Sequence, residues 1–205
     1  MPIIVVANPK GGVGKSTLST NIAGYFARQG HTVMLGDADR QQSCAVWLRQ
    51  RPAQARPIAT WDASSVEVLR PPRGTTHVVL DTPAGLHGRQ LKETLKRADK
   101  LLIPLQPSLF DMQATRDFVD DLKERRRAAD LDIAVVGMRV DERTLAAERL
   151  RAFVQELQLP VLTHLRDTQN YVKLTMQGLT LFDVVPSRIA KDLEAWVPIT
   201  AWLDR

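Results

Sequence analysis

Residues 10–17 read KGGVGKST, and this stretch decides the fold. It follows an apolar run, IIVVA at 3–7, and precedes a helix-like stretch, so a strand, a glycine-rich turn and a helix follow one another. Glycines let the backbone turn its N–H groups toward phosphate oxygens, and the helix N-terminus adds a favourable dipole. Lys15 is expected to reach the β- and γ-phosphates of ATP or ADP, and the Ser16 hydroxyl suits Mg²⁺. The pattern predicts a P-loop whose nucleotide-binding residues are Gly11, Gly12, Val13, Gly14, Lys15, Ser16 and Thr17.

Strand-like and helix-like stretches alternate along the rest of the chain. Strands are predicted at 3–7, 33–36, 78–80, 101–105, 133–138 and 160–162, and helices at 16–29, 111–127, 145–157 and, interrupted by Pro198, 189–203. Segment 51–74 carries four prolines and is predicted to be a connection over the surface. The alternation predicts an α/β fold: a single P-loop domain over residues 1–205, with a mainly parallel sheet and helices on both faces.

The composition excludes or disfavours several kinds of site and location. Cys44 is the only cysteine, so an internal disulfide is excluded and a thiolate-built iron–sulfur or zinc site within one chain is disfavoured. No apolar run approaches the ~20 residues that cross a bilayer, and no charged leader precedes the first apolar run, so a cytoplasmic location is expected. The net charge of +5 weakly favours a polyanionic partner.

Three aspartates follow predicted strands. Asp37 and Asp39 end the second strand in LGDADRQQS and point to the same side, and Asp81 ends the third strand in HVVLDTPAG. Carboxylates grouped beside a phosphate loop need a compensating cation or water network. Mg²⁺ with its water shell would supply it, and the candidate ligands are Ser16, Asp37 and Asp81. HVVLD resembles a Walker B motif, which implies that Asp81 binds the ion through water. The alternative is that these aspartates are solvated or cap turns.

The phosphate loop departs from the usual pattern in an informative way. Pro9 stands where a glycine is usual, and a second lysine, Lys10, lies just inside the loop. KGGVGKST resembles the deviant Walker motif of the ParA/MinD family of ATPases. The resemblance implies that Lys10 crosses a dimer interface and contacts the nucleotide of the other subunit, where a second cation offsets charge that develops during phosphoryl transfer.

Further segments carry the resemblance. DADRQ at 37–41 is similar to the family's DxDPQ segment, which implies that Asp39 orients the attacking water; Arg40 replaces the usual proline. Residues 81–85, DTPAG, fit the switch segment that responds to the γ-phosphate. PSLFD at 107–111 resembles a dimer-face segment, although Asp111 is equally interpreted as the N-cap of the next helix.

One family position is not matched. An Asn-Arg pair that commonly follows the fifth strand, and whose Asn reads adenine, is here Met138-Arg139. The adenine contact must come from elsewhere, and backbone groups near 167–172 are the candidates.

The late segment 166–184, RDTQNYVKLTMQGLTLFDV, resembles short, plasmid-type ParA proteins. The resemblance implies a nucleoid-associated ATPase that forms a homodimer with ATP, holds nonspecific DNA and is stimulated by a ParB-like or cargo adaptor protein. The DNA-binding candidates are basic residues late in the chain, each equally interpretable as part of a solvated face: Arg166, Lys173, Arg188 and Lys191, with Arg149 and Arg151 as further candidates.

Two other functions share this fold. A membrane-associated, MinD-like positioning ATPase needs a basic amphipathic tail, but 191–205 carries acidic residues and is broken by Pro198. A metabolic P-loop enzyme, such as a dethiobiotin-synthetase-like ligase, would need an acceptor-binding motif, and none is distinct here. The sequence therefore favours DNA partition or cargo positioning, with no membrane partner.

Overall fold

The computed structural model describes residues 1–39, 42–62, 71, 73–124 and 131–205, and these form one seven-stranded sheet with helices around it. The strands are β1 (Ile3–Val6), β2 (Val33–Asp37), β3 (Ala59–Asp62), β4 (His77–Asp81), β5 (Lys100–Leu105), β6 (Asp132–Met138) and β7 (Val161–Leu165). The helices are α1 (Lys15–Arg28), α2 (Ser43–Arg49), α3 (Gly88–Leu95), α4 (Leu109–Lys123), α5 (Leu145–Leu157), α6 (Gln169–Thr175) and α7 (Ala190–Leu203).

The strand order is β3-β2-β4-β1-β5-β6-β7, and each neighbouring pair runs parallel. The first strand of the chain is therefore at the centre, between β4 and β5. The register pairs Asp37 of β2 with Asp81 of β4, and Asp81 in turn with Val6 of β1. The carboxyl ends of the three neighbouring strands β2, β4 and β1 thus meet beside the loop that follows β1, and the predicted α/β class with a parallel sheet is confirmed.

The two faces of the sheet are covered by different helices. Successive residues of β1 alternate between them, so Ile4 joins one buried cluster with α1 and α7, whereas Val5 joins another with α4 and α5. Burial on both faces explains why the central strands read as continuous apolar runs. The predicted placement of helices on both faces is confirmed.

Several elements differ from their predicted form. Segment 51–74, predicted to be a surface connection, contains the edge strand β3, which pairs with β2 from Met34 to Asp37. Helices α2, α3 and α6 were not predicted. Helix α4 starts at Leu109 rather than 111, and the predicted continuation to 127 lies partly outside the described residues.

Helix α7 is continuous through Pro198, where an interruption was predicted. Pro198 is exposed, while Trp196, Ile199 and Trp202 are at most 1% exposed, so core contacts on both sides of the proline hold the helix together. Trp196 and Trp202 are therefore buried in the core and do not contribute to the surface. Over the ranges that the structure describes, none of the helices combines the length and the apolar character that crossing a bilayer requires.

Candidate functional site

The loop between β1 and α1 has the backbone of a phosphate cradle. Gly12 and Gly14 have φ of 76° and 100°, in the left-handed region that side chains rarely adopt. At Gly14 a Cβ would also lie 2.6 Å from the Cε of Met138, so the end of that side chain would have to move to admit a larger residue. Only glycine allows this turn to lead directly into the N-terminus of α1.

Lys15 lies inside this loop, 8% exposed. Its ammonium donates to the carbonyl oxygens of Lys10 at 2.7 Å and of Asn8 at 3.1 Å. Burial lowers the pKa of Lys15, while the charges of Asp81 and Asp39 act in the opposite direction. The loop thus holds a partly desolvated cation, with two carbonyl contacts, in the place where phosphate oxygens are expected.

Asn8 holds the phosphate loop in place through hydrogen bonds. The sequence analysis did not identify this residue. It is completely buried, its amide donates to Pro104 O at 2.8 Å and Thr115 Oγ1 at 2.9 Å, and its Oδ1 accepts from the N–H of Lys10 at 2.9 Å. A side-chain amide directly after a buried strand was the available signal. Asn8 fixes the backbone of Lys10, whose ammonium makes no hydrogen bond or ion pair within the described ranges.

Asp81 collects three donors at the end of β4. Ser16 Oγ donates to it at 2.6 Å, Ser19 Oγ at 3.1 Å and Cys44 Sγ at 3.2 Å. Burial raises the pKa of Asp81 to about 6, although the hydrogen bonds from Ser16 and Cys44 oppose that effect. Two of the predicted metal ligands, Ser16 and Asp81, are therefore brought into direct contact, and Ser19 and Cys44 are neighbours that the sequence did not reveal.

Asp37 is also buried, but its carboxylate has different partners. One oxygen accepts from Asp39 N at 3.1 Å, and the other accepts from Cys44 N at 2.9 Å and Ala45 N at 3.2 Å. Cys44 and Ala45 occupy the second and third positions of α2, so Asp37 caps that helix from the neighbouring strand. Burial raises the pKa of Asp37, and these backbone hydrogen bonds oppose the rise.

Asp39 is half-buried and lines the cleft beside the phosphate loop. Arg40 and Gln41, the rest of the predicted DxDPQ-like segment, lie outside the described residues. The side chains of Asp37 and Asp39 thus have different surroundings: Asp37 faces the core and α2, and Asp39 faces the cleft.

The predicted switch segment touches the phosphate loop. Gly85 N donates to Pro9 O at 2.8 Å, and Thr82 Oγ1 donates to Val6 O at 2.9 Å. On the other side, Gln106 Nε2 donates to Gly12 O at 2.9 Å. Hydrogen bonds thus join the phosphate loop to the segments that follow β4 and β5.

These elements enclose a cleft of about 910 Å³, lined among others by Gly12, Lys15, Ser16, Asp39 and Pro83. A second cleft of about 280 Å³ adjoins it and shares Gly14, Thr17 and Arg139. Its other walls come from Met138 and from residues 165–176, the stretch that contains the predicted adenine-contact segment 167–172.

The structure of segment 107–111 shows which residue is the N-cap of α4. Ser108 is the N-cap of α4, because its Oγ accepts from Asp111 N at 3.2 Å, and Ser108 Oγ also donates to the Asp111 carboxylate at 2.7 Å. Asp111 as the N-cap was wrong: it is the third residue of the helix. The two residues between them, Leu109 and Phe110, are 72% and 78% exposed.

The basic residues predicted to contact DNA fall into two groups. Arg166 donates to the buried Asp192 at 2.7 Å, and this hydrogen bond raises the pKa of Arg166. Lys173, Arg188 and Lys191 are exposed at successive points along α6, the turn before α7, and α7. The further candidates Arg149 and Arg151 are exposed on α5, and Arg151 pairs with Glu142.

Comparison with known proteins gives a consistent result. The maintenance of carboxysome distribution protein A of Halothiobacillus neapolitanus is 28% identical over 188 residues, which cover 88% of this chain and 87% of the relative. The chromosome-partitioning ATPase Soj of Thermus thermophilus is 29% identical over 184 residues, covering 73% of this chain and 74% of the relative. A solved ATP complex of an aspartate-to-alanine variant of Cyanothece McdA superimposes with a TM-score of 0.74 at 19% identity, covering 98% of this chain and 94% of that one.

A family model described as the CobQ/CobB/MinD/ParA nucleotide binding domain matches residues 4–181, which include the phosphate loop, the three aspartates and the switch segment. With the cradle at Gly12–Lys15 and the cleft beside it, the chain belongs to this family and is an ATPase of the ParA/MinD type.

Proposed function

We propose that this protein is a partition or cargo-positioning ATPase: ATP joins two subunits, the dimer holds DNA without sequence preference, and a partner protein stimulates hydrolysis and release. The observation that carries the proposal is the arrangement of Lys10. The relatives support it as well, since two of them are named for carboxysome distribution and chromosome partitioning.

Lys10 has the arrangement that a lysine acting on another subunit requires. Its N–H is held by Asn8 and its carbonyl by Lys15, so the backbone has a defined position. Its ammonium, by contrast, has no hydrogen bond or ion pair to any residue that the structure describes. A γ-phosphate on a facing subunit is a partner that would use this cation, and its charge would stabilise the transition state for phosphoryl transfer.

The residues around Asp81 fit a magnesium ion. A carboxylate this deeply buried is disfavoured in its charged form unless a cation compensates it, and the Ser16 hydroxyl beside it is a hard oxygen donor of the kind Mg²⁺ prefers. Ser16 and Asp81 would hold the ion, directly or through water, and Asp37 would contribute charge nearby. When bound with ATP, Mg²⁺ neutralises charge on the phosphates.

The hydrolytic step is assigned to Asp39, because it faces the cleft while Asp37 is occupied by backbone N–H groups. Asp39 would orient the attacking water, and Lys15 would hold the β- and γ-phosphates.

The nucleotide base is assigned to the second cleft, which continues from the phosphate loop past Gly14 and Thr17. Helix α6 forms part of this cleft and carries Lys173, and Arg188 and Lys191 follow along the chain. These three exposed cations are the proposed contacts to DNA phosphates, and a protein that uses them would work on the nucleoid in the cytoplasm.

The test is light scattering and DNA binding in each nucleotide state. With ATP and Mg²⁺, the Asp39→Ala variant should be a dimer and bind unrelated duplexes, whereas the ADP form should be a monomer that binds weakly. Lys10→Ala should remain able to bind ATP and lose the dimer. Equal oligomeric state and equal DNA binding with ATP and ADP would contradict the proposal.

A further inference from the structure

The carboxyl end of β5 contacts the phosphate loop at two points. Near the start of the loop, Pro104 O accepts a hydrogen bond from Asn8, whose Oδ1 in turn accepts from Lys10 N. At the tip of the loop, Gln106 Nε2 donates to Gly12 O at 2.9 Å. The second contact reaches the part of the loop that lines the cleft.

Packing alone does not fix the peptide group between Gly12 and Val13. Gly12 has no side chain and a φ of 76°, and a Cβ at this position would have no described atom within 4 Å beyond its chain neighbours. A glycine in open space adopts several backbone conformations at similar cost. The hydrogen bond from Gln106 therefore selects one orientation of this peptide group.

That orientation determines where the N–H of Val13 points. In a planar trans peptide the C=O and N–H groups point in opposite directions, so the N–H of Val13 is directed away from Gln106. Val13 is 1% exposed, and its neighbours Gly12 and Gly14 both line the cleft. Among the residues that the structure describes, none accepts a hydrogen bond from the N–H groups of residues 11–15. An N–H group left without an acceptor when water is excluded is costly, and a phosphate oxygen would satisfy it.

The backbone of Gln106 is itself held on both sides. Leu105, the last residue of β5, is completely buried, and Gln106 O accepts from Ser108 N at 2.8 Å. Ser108 in turn is the N-cap of α4. The side chain of Gln106 thus reaches the loop from a rigid support formed by a central strand and a capped helix.

We propose that Gln106 is a positioning residue for nucleotide binding: by holding Gly12 O, it directs the N–H of Val13 at a phosphate oxygen. Gln106 acts here through the backbone of the loop and does not itself contact the nucleotide. The inference rests on the assignment of the phosphates to this loop, and it is independent of dimerisation and DNA partition.

The test is titration of the protein, labelled with ¹⁵N-valine, with ADP and Mg²⁺. ADP is chosen because the proposed dimer forms with ATP. In the wild-type protein the amide proton of Val13 should shift downfield at saturation, as a proton entering a new hydrogen bond does. Its resonance is identified as the one missing from a Val13→Ile variant.

Gln106→Met keeps the approximate length of the side chain and removes the donor. It should lower the affinity for ADP about 3–10-fold, the effect expected for about one hydrogen bond, and reduce the Val13 shift at saturation. The urea midpoint of the nucleotide-free variant should equal that of the wild type, because the lost contact is at the surface. Gln113→Met is the matched control: Gln113 is an exposed amide on α4 that donates to Asp117 at 3.0 Å, and its substitution should change neither affinity nor shift.

An affinity of Gln106→Met equal to that of the wild type would overturn the proposal. A weaker affinity with a Val13 shift of wild-type size would also overturn it, because the N–H would then reach the phosphate without Gln106. If the Val13 amide of the wild-type protein did not shift with ADP, the assignment of the phosphates to the loop would fall as well. Dimerisation and DNA binding are not read in these titrations, so failure of the partition proposal would be seen separately.

Discussion

The ammonium of Lys15 donates a 2.7 Å hydrogen bond to the carbonyl oxygen of Lys10, so the two lysines of the phosphate loop are linked through the backbone of one and the side chain of the other. This contact gives the lysines different tasks. Lys15 is turned inward and shapes the loop, while the side chain of Lys10 is left for an external anion.

Lys15→Ala should abolish ATP binding. The substitution removes the loop cation that meets the β- and γ-phosphates, and hydrogen bonds to charged groups are each worth about 1.5–3 kcal/mol. Isothermal calorimetry with ATP and Mg²⁺ measures the effect, and Lys10→Ala is the matched control that should retain affinity in the monomer. Undiminished affinity in Lys15→Ala would show that the phosphates bind elsewhere.

Asp39→Ala should bind ATP with nearly unchanged affinity and hydrolyse it at least about 100-fold more slowly, because a positioned acid–base group contributes about 10²–10⁴-fold. The phosphate contacts of the loop are left in place, so an ATP-bound dimer should accumulate. Phosphate release and light scattering follow the two effects. Hydrolysis at the parent rate would assign Asp39 another role.

Asp37→Ala should lower the free energy of unfolding of the nucleotide-free protein by about 0.5–2 kcal/mol, since the carboxylate caps the second and third N–H groups of α2. Urea denaturation measures this change. A role confined to the metal would instead leave nucleotide-free stability as in the parent and raise only the Mg²⁺ concentration that ATP binding requires.

Arg51→Ala should lower the free energy of unfolding by about 3–5 kcal/mol, because it breaks a buried ion pair and leaves one charge uncompensated. Arg51 donates to both oxygens of Asp183, at 2.9 and 2.8 Å, and the two side chains are 5% and 7% exposed. Arg49→Ala, two residues earlier and exposed, is the control and should change stability by less than about 0.5 kcal/mol. Equal effects of the two substitutions would show that the Arg51–Asp183 ion pair does not stabilise the fold.

DNA affinity should fall more steeply with salt in the ATP state than in the ADP state, because a dimer doubles the number of neutralised phosphates. Lys173→Ala, Arg188→Ala and Lys191→Ala should each weaken binding on all sequences alike and flatten the salt slope by about one per monomer. Anisotropy titrations of unrelated duplexes at several salt concentrations provide the measurement. Arg28→Ala, exposed at the far end of α1, should leave the slope unchanged.

Arg166 is the candidate least suited to this test. Because it pairs with Asp192, which is 1% exposed, its removal would leave a buried carboxylate without its cation. A loss of DNA binding in Arg166→Ala would therefore need to be corrected for lost stability, which denaturation of the same variant supplies.

The buried parts of the fold could be predicted from the sequence, and the parts that depend on distant partners could not. The central strands and α5 have continuous apolar runs or a clear helical period, and their predicted positions agree with the structure. Each of the three short helices lacks one of the usual signals: α6 is capped by Thr168 but has no buried residue, and neither α2 nor α3 has a side-chain cap at its own N-terminus. Strand β3 is formed by pairing with β2 at the edge of the sheet, a partner that lies outside its own segment.

The same distinction applies to the site. The phosphate loop, Asp81 and the switch segment carry their signal in local spacing, and the structure brings them together around one cleft. Asn8, Ser19 and Gln106 act through hydrogen bonds that the folded sheet creates, as between Asn8 and Thr115, 107 residues apart. Asp37 and Asp39 look equivalent in sequence, and only the docking of α2 separates their surroundings.

The central position of β1 has a consequence for the newborn chain. Ile3–Val6 is synthesised before its sheet partners, which are β4 at His77–Asp81 and β5 at Lys100–Leu105. At about 5–20 residues per second, synthesis of the intervening residues 7–76 takes several seconds, during which this apolar strand has neither neighbour. The nucleotide cradle therefore cannot be assembled on a growing chain until β4 and β5 have been translated, and until then β1 lacks the strands that pair with its two edges.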